Sequence, residues 1–238
     1  MRSVVRWWPA AVTMVVMACG SGTDAKPDAA AAVPKESTMV AGAAATGGAR
    51  VLIIGTSLTA GLGLDPDSAY PAVLQRLADS SGYRVAIAPA GLSGETSAGA
   101  LRRVDWLLRD RADVVVIETG ANDGLRGLRV DSTKANLVAL IRKVRGANPR
   151  ARVLLAQMEA PTNMGATYTR SFHETFLNVA REEAVILIPF FLDGVAGNQE
   201  LNQGDGIHPN EEGARRAARN MWKTLAPVLR EVAAPARR

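Results

Sequence analysis

The sequence predicts an α/β fold, a three-layer α/β/α sandwich built on a five-stranded parallel sheet. Short apolar runs, which are typical of strands buried on both faces, alternate with longer stretches whose apolar residues recur at helical spacing. This alternation favours parallel strands joined by crossover helices that cover both faces of the sheet. The predicted domain comprises residues 49–232, and a chain of about that length buries roughly 70% of its unfolded surface on folding.

The predicted elements follow one another in a regular order. Short runs dominated by Val, Ile, Leu and Ala predict the strands Val51–Ile54, Val85–Ala88, Val114–Glu118, Val153–Gln157 and Val185–Ile188. Helical spacing of Leu, Val, Ala and Phe predicts the helices Tyr70–Ser80, Thr96–Arg109, Ser132–Ala147, Thr169–Glu183 and Glu211–Val232. Ligands of such sheets bind beyond the carboxyl ends of the strands. The loops after the first three strands, which hold Ser57, Gly94 and Asn122, should therefore share one site.

Residues 1–48 have the composition of targeting and linking segments rather than of a domain. Two arginines precede an apolar stretch, 7–18, that has the length of a signal-peptide core and is too short to span a bilayer. Cys19, the only cysteine, follows Val-Met-Ala and resembles the lipobox cysteine of bacterial lipoproteins. We therefore expect a lipoprotein signal peptide over 1–18. The alternative is a plain secretory signal cleaved near Ala18, which leaves Cys19 as an ordinary thiol.

The composition of the segment after the signal peptide and the charge of the chain indicate where the protein acts and which partners it has. Residues 19–48 are mostly Ala, Gly, Pro, Thr and Ser, which bury too little apolar surface to order, so a disordered tether is expected. The formal net charge of +5 is modest and its basic residues are dispersed, which indicates solvated helix faces rather than a nucleic-acid surface. We expect an exported periplasmic or cell-envelope monomer, anchored to a membrane through Cys19, with no nucleic-acid partner.

Two short motifs near the ends of the predicted domain supply a hydroxyl, a carboxylate and an imidazole. Ser57 lies in the motif 55–61, where the chain leaves the first strand, and nucleophiles are commonly displayed at such a place. Asp205 and His208 lie three residues apart in the motif 205–209, close enough for one carboxylate to orient one imidazole. An alcohol needs a neighbouring base to attack a carbonyl. The pattern predicts a serine hydrolase with Ser57 as nucleophile, His208 as base and Asp205 as the orienting acid.

These residues also have structural interpretations. His208 could satisfy backbone groups in its loop, and Asp205 could form an Asx turn between two glycines, a role compatible with orienting the imidazole. The other histidine, His173, lies in a predicted helix beside Glu174, where a solvated or partly packed side chain is expected. His208 is therefore the preferred base.

The oxyanion that forms during attack needs hydrogen-bond donors near the carbonyl. Ser57 offers its own backbone N–H, and Gly94 offers another, because a glycine lets substrate approach the backbone closely. Asn122 offers a side-chain amide. Each of the last two has an alternative, since Gly94 could form a helix-start turn and Asn122 a turn that closes the third strand.

Taken in order, these residues resemble the four sequence blocks of the SGNH (GDSL-type) hydrolase family. Ser57 matches the nucleophile of the first block, and Gly94 and Asn122 match the oxyanion residues of the second and third. Asp205 and His208 match the last block. The resemblance implies a flavodoxin-like fold and the hydrolysis of acyl esters or thioesters.

The resemblance covers essentially the whole predicted domain and departs from the family pattern at one position. The family usually has Gly-Asp-Ser-Leu in its first block, whereas this chain has Thr56 before the serine, which keeps a hydrogen-bonding oxygen but lacks a charge. The stretches 121–128 and 189–191 are most similar to the bacterial thioesterase I, lysophospholipase and arylesterase subgroup. That similarity implies catalysis without metal or cofactor.

Other enzyme classes fit less well. The first motif lacks the second glycine of a Gly-x-Ser-x-Gly elbow, and the chain has no Walker lysine and no plausible metal cluster. The sequence thus predicts a serine esterase or thioesterase that forms an acyl-enzyme on Ser57 with a small-molecule substrate. Two alternatives stay open. One is a carbohydrate O-acetyl esterase with the same catalytic centre, and the other is a non-catalytic surface lipoprotein, for which Thr56 is the best argument.

Overall fold

The computed structural model describes residues 48–233. Its five strands are β1 (Ala49–Gly55), β2 (Val85–Gly91), β3 (Val114–Ile117), β4 (Arg152–Ala156) and β5 (Ile186–Ile188). All neighbouring strands are parallel, in the order β2-β1-β3-β4-β5. The predicted signal peptide, Cys19 and nearly all of the predicted tether lie outside the described residues.

Helices connect the strands and close the described part of the chain. They are α1 (Ser57–Ala60), α2 (Tyr70–Ser80), α3 (Ser97–Leu107), α4 (Ala121–Leu125), α5 (Val130–Ala147), α6 (Ala166–Glu182) and α7 (Glu211–Val232). Two 3-10 turns, Pro66–Ser68 and Thr162–Met164, lie in the loops before α2 and α6. Among the described residues, no helix is both long enough and apolar enough to cross a membrane.

The strand order explains how the helices form two layers. The step from β1 to β2 runs in one direction across the sheet, and the later steps to β3, β4 and β5 run in the other. Because crossovers between parallel strands are right-handed, α2 lies on one face and α3, α5 and α6 lie on the opposite face. The helix contacts agree, since α2 packs against α7 whereas α5 packs against both α3 and α6. The predicted three-layer α/β fold is confirmed.

The core lies between the sheet and these layers. Every residue of β3 is buried, and the side chains of Ile53 and Ile54 in β1 have no exposed surface. Phe172 and Phe176, one turn apart on α6, are also fully buried, with ring centroids 5.4 Å apart. Since the middle strands are covered on both faces, their apolar runs are continuous rather than alternating. Successive strands are added to opposite sides of β1, so a crevice is expected beyond its carboxyl end.

Candidate active site

The Ser57 turn, which comprises residues 55–61, begins at the last residue of β1, and Ser57 is the first residue of α1. Thr56 before it is extended, with φ −104° and ψ −151°, so the chain bends sharply into this single-turn helix. Gly55 allows the bend to pack closely, because a Cβ there would lie 2.5 Å from a carboxylate oxygen of Glu118. The turn therefore rests on the residue that follows β3.

The loop that carries His208 lies beside this turn, although the two are far apart in the sequence. A bridge between Asn202 and Pro209 closes the loop, and the backbone N–H of Gln203 donates to the His208 carbonyl at 2.7 Å. The Gln203 side chain donates to the carbonyl of Leu62, just past the Ser57 turn, at 2.8 Å. Gln203, which the sequence analysis did not single out, thereby ties the two loops together.

Ser57, His208 and Asp205 form a continuous hydrogen-bonded series. Nε2 of His208 lies 2.9 Å from Oγ of Ser57, and Nδ1 lies 2.5 Å from Oδ2 of Asp205. The two ring nitrogens face different partners, so a proton held on Nδ1 by the carboxylate leaves Nε2 free to accept the hydroxyl proton. The structure therefore brings together three residues that the sequence analysis selected from two motifs far apart in the chain.

Asp205 combines the two roles that its sequence context allowed. Its Oδ1 accepts the backbone N–H groups of Ile207 at 2.9 Å and His208 at 3.0 Å, which is an Asx turn, while Oδ2 faces the imidazole. The hydrogen bond from the His208 ring and these backbone N–H groups lower the pKa of Asp205 from 3.8 to about 2. The side chain is also 45% exposed to solvent. Asp205 is therefore a carboxylate at any pH near neutrality.

Gly94 and Asn122 lie on neighbouring segments, one in the loop after β2 and the other in the short helix after β3. Asn122 is in α4, and its Nδ2 donates to the Glu95 carbonyl at 3.0 Å. This bond uses one of the two amide hydrogens and orients the other. Gly94 has φ +75°, a conformation that favours glycine. The N–H of Leu92 donates to the Gly55 carbonyl at 3.0 Å, which joins the Gly94 loop to the Ser57 turn.

Two buried acids that the sequence analysis did not single out support these loops. Glu95 accepts two hydrogen bonds from the Arg103 guanidinium, both at 2.7 Å, and the same guanidinium reaches the Gly55 carbonyl at 3.2 Å. Asp123 accepts the backbone N–H of Ser97 at 2.8 Å and its hydroxyl at 2.5 Å. These contacts fix the start of α3 and the position of α4 relative to the sheet. The position of Asp123, directly after Asn122, was the available sequence signal.

A third buried acid, Glu118, lies beneath the Ser57 turn. It follows β3, whereas the sequence pattern placed it at the end of the predicted strand. Its side chain has no exposed surface, and burial raises its pKa from 4.5 to about 7 in spite of hydrogen bonds from Thr59 and Thr56 that lower it. An acidic residue at the end of an apolar run was the only sequence signal for it.

The second histidine has different partners. His173 lies on α6, its Nδ1 is 2.7 Å from Oε1 of Glu159, and the Gln157 amide donates to the same oxygen at 2.6 Å. The His173 side chain is 45% exposed, which agrees with the expectation of a partly packed helix histidine. Within residues 48–233, no group of three or more His, Cys, Asp or Glu side chains is arranged to hold a metal ion.

A narrow and mostly apolar pocket opens beside the Ser57 hydroxyl. His208 borders it, and its apolar walls are Leu58, Leu62, Leu64, Phe191, Leu192 and Pro209. Most of the exposed large apolar side chains of the described residues lie within or next to the segments that carry site residues, namely Leu62, Leu92, Leu125, Leu128 and Ile207. The remaining one, Trp106, lies on α3. A lining of this kind, apolar with few polar groups, is typical of surfaces that contact the apolar part of a small ligand.

Comparisons with known proteins agree with this geometry. Residues 53–216 match the GDSL-like lipase/acylhydrolase family. Esterase TesA of Pseudomonas aeruginosa is 41% identical over 180 residues, which cover 75% of this chain and 89% of that protein. Thioesterase 1/protease 1/lysophospholipase L1 of Escherichia coli is 36% identical over 180 residues, which cover 75% and 84%. The crystal structure of psychrotrophic esterase EstA from Pseudoalteromonas sp., inhibited by monoethylphosphonate, matches with a TM-score of 0.71 at 34% identity, over 76% of this chain and 98% of that one.

Proposed function

We propose that this chain, which belongs to the GDSL-like lipase/acylhydrolase family and is an ester-hydrolysing enzyme, works through an acyl-enzyme on Ser57. One observation carries the proposal, which is the 2.9 Å contact between Oγ of Ser57 and Nε2 of His208 across 151 residues of sequence. The relatives are an esterase and a thioesterase by name, so neither a carbohydrate deacetylase nor a non-catalytic lipoprotein is favoured.

In the proposed first half-reaction, Nε2 of His208 accepts the Ser57 proton as Oγ bonds to the substrate carbonyl carbon. Asp205 keeps the other proton on Nδ1 and stabilises the imidazolium that forms. The tetrahedral intermediate then expels the alcohol or thiol, which takes the Nε2 proton as it leaves. The acyl group stays on Ser57 as an ester.

In the second half-reaction, His208 accepts a proton from water as the water oxygen attacks the acyl carbon. Collapse of this intermediate returns the proton to Oγ of Ser57 and releases the carboxylic acid. In both steps, we propose that three donors hydrogen-bond to the carbonyl oxygen as it becomes negatively charged. They are the backbone N–H groups of Ser57 and Gly94 and the free amide hydrogen of Asn122. The bond from Asn122 to Glu95 supports this assignment because it orients the amide before substrate binds.

The proposed substrates are small acyl esters or thioesters with an apolar group beside the reacting carbonyl. The apolar lining of the pocket next to Ser57 and the exposed Leu62 at its edge support this class. Leu62 offers a direct test, because it lines the pocket and is 46% exposed, while Trp106 is 47% exposed on α3 and serves as a matched control. Leu62→Ser should raise KM for long-chain p-nitrophenyl esters more than for the acetate. Trp106→Ser should leave that chain-length preference unchanged.

The reaction is tested by assaying a panel of p-nitrophenyl esters and acyl thioesters with wild type and Ser57→Ala. Wild type should hydrolyse them, and Ser57→Ala should retain almost no activity while keeping the same melting temperature. A serine-directed phosphonate should label wild type and not the variant. Labelling of a folded Ser57→Ala protein, or activity close to wild type, would assign the nucleophile to another residue.

The cellular setting remains a sequence-based proposal. Export, a lipid on Cys19, a monomeric state and the absence of a nucleic-acid partner all rest on the composition of the chain and the segment before residue 48. Cys19→Ser tests the anchor by cell fractionation. Movement of the enzyme from the membrane to the soluble fraction is the expected result, and an unchanged distribution would contradict lipidation.

A further inference from the structure

Glu118 accepts three hydrogen bonds from the two threonines that flank Ser57 within its turn. Its Oε2 accepts the backbone N–H of Thr56 at 3.0 Å and the hydroxyl of Thr59 at 2.7 Å. Its Oε1 accepts the Thr56 hydroxyl at 2.9 Å. Because both carboxyl oxygens are used and both threonines are buried, this side chain fixes the turn on either side of Ser57.

The main chain of Glu118 is itself fixed to the sheet. Its backbone N–H donates to the Ile54 carbonyl at 2.7 Å, directly beyond the paired part of β1 and β3. The carboxyl group therefore has a defined position relative to the end of β1. A rigid acceptor beneath the turn limits how far Ser57 can move toward or away from His208.

The groups that face Glu118 are uncharged or are paired with another acid. Tyr70, on α2, has its hydroxyl 2.6 Å from Oγ1 of Thr59, and burial together with the charge of Glu118 raises the pKa of Tyr70, so this neighbour stays neutral. On the α3 side, Arg103 contacts the Gly55 carbonyl and is paired with Glu95. The hydrogen-bond donors on the Glu118 carboxyl group are thus uncharged groups of the turn itself.

From this geometry we propose that Glu118 is a positioning residue, whose carboxyl oxygens hold the Ser57 turn so that the Ser57 hydroxyl stays within hydrogen-bond distance of His208. This proposal rests on the proposed role of Ser57 as nucleophile. The departure from the family pattern at residue 56 lies within this network. Where the family pattern has an aspartate, this chain has a hydroxyl that donates to Glu118. An aspartate at residue 56 would place a second carboxyl group next to that of Glu118. One of two adjacent carboxyl groups has a strongly raised pKa, so the pair would hold a proton between them. Thr56 leaves Glu118 as the acid of the turn.

The test compares variants that differ only in hydrogen bonding. Glu118→Leu removes both acceptor oxygens and so all three hydrogen bonds. The turn should then shift enough to lower kcat by about 10²-fold with little change in KM, since a misplacement near 1 Å costs about that much. Glu118→Gln keeps one carbonyl oxygen for the Thr56 N–H and the Thr59 hydroxyl, and its amide can donate to the Thr56 hydroxyl. It should therefore retain kcat within about tenfold of wild type.

Two threonine variants test the same network, one by removing a hydroxyl that contacts Glu118 and the other as its matched control. Thr56→Val removes a hydroxyl that donates to Glu118 and should lower kcat by about tenfold. Thr119→Val removes an equally buried hydroxyl, adjacent to Glu118 in sequence, that has no hydrogen-bond partner, so kcat should not change. If Glu118→Leu does not fold, this pair decides the question.

The outcomes separate this proposal from the one it rests on. Activity is expressed per mole of folded protein from near-ultraviolet circular dichroism, and Ser57→Ala is measured in parallel. A wild-type kcat in folded Glu118→Leu, or equal kcat values in Thr56→Val and Thr119→Val, would overturn the positioning role while Ser57→Ala is inactive. An active Ser57→Ala would instead overturn the proposed nucleophile.

Discussion

Replacement of Glu118 by glutamine should stabilise the protein near pH 8 relative to wild type, by an amount that nearly vanishes in acid. Burial raises the pKa of this carboxyl group from 4.5 to about 7 in the folded state. The folded protein thus binds the Glu118 proton more tightly than the unfolded chain does. Its stabilising contribution is complete below the unfolded pKa and is lost as the pH rises through the folded value near 7.

The magnitude follows from the two pKa values. At about 1.4 kcal/mol for each pKa unit, the interval from 4.5 to about 7 corresponds to roughly 3 kcal/mol of unfolding free energy. Because the side chain has no exposed surface, solvent screening does not reduce this figure. Glutamine resembles the protonated acid in shape and does not titrate. All other titrating groups are common to both proteins, so the difference between them reports on Glu118.

Urea unfolding of both proteins at about pH 4.5 and pH 8 measures the effect. The stability advantage of Glu118→Gln should be larger at pH 8 by about 3 kcal/mol. The m-values should be equal, since the two chains expose the same surface on unfolding. A difference between the proteins that stays constant across this range, within about 0.5 kcal/mol, would show that Glu118 titrates alike in the folded and unfolded states. The reasoning from burial would then be wrong.

Three further substitutions test the site. Asn122→Ala should lower kcat on the order of 10²–10³-fold with KM little changed, as expected for one oxyanion donor, and an unchanged kcat would remove Asn122 from the mechanism. Asp205→Asn should lower kcat at least about 10²-fold at pH 7, because an amide does not hold the His208 proton on Nδ1 as a carboxylate does. Arg103→Met should lower the unfolding free energy by about 3 kcal/mol, since it leaves Glu95 buried and unpaired, and adding Glu95→Gln should restore part of the loss.

The long elements were predictable because their signals are local. Helices α2 and α7 begin and end at the predicted residues, and Asn210 caps α7 by accepting the Gly213 N–H at 3.0 Å. The four-residue α1 and five-residue α4 were missed, because helices so short contain too few positions to show a 3.6-residue period. Strand β2 extends to Gly91, past the predicted end, because its pairing with β1 continues to Gly55.

The residues proposed to carry the chemistry could be selected from the sequence, whereas the residues that hold their loops in place could not. Ser57, Asp205 and His208 stand in short motifs whose residue types suit their chemistry. Gln203 and Glu118 act through partners 141 and 62 residues away in the sequence. Such pairs exist only once the strand order has brought the loop after β3 and the loop before α7 to the same edge of the sheet. Neither composition nor periodicity contains that information, so these residues could be found only from the fold.

Asp205, which contacts His208, and Glu118, which contacts the Ser57 turn, have pKa values shifted in opposite directions, and this difference separates their roles. Asp205 is partly exposed and hydrogen-bonded, with a pKa of about 2, so it can stabilise an imidazolium as a permanent carboxylate. Glu118 has a pKa of about 7, a value typical of a general acid or base, yet its hydrogen bonds go to Thr56 and Thr59 rather than to Ser57 Oγ or His208. A group without a path to the reacting atoms cannot transfer their proton. Glu118 therefore acts on catalysis only through the turn that it holds.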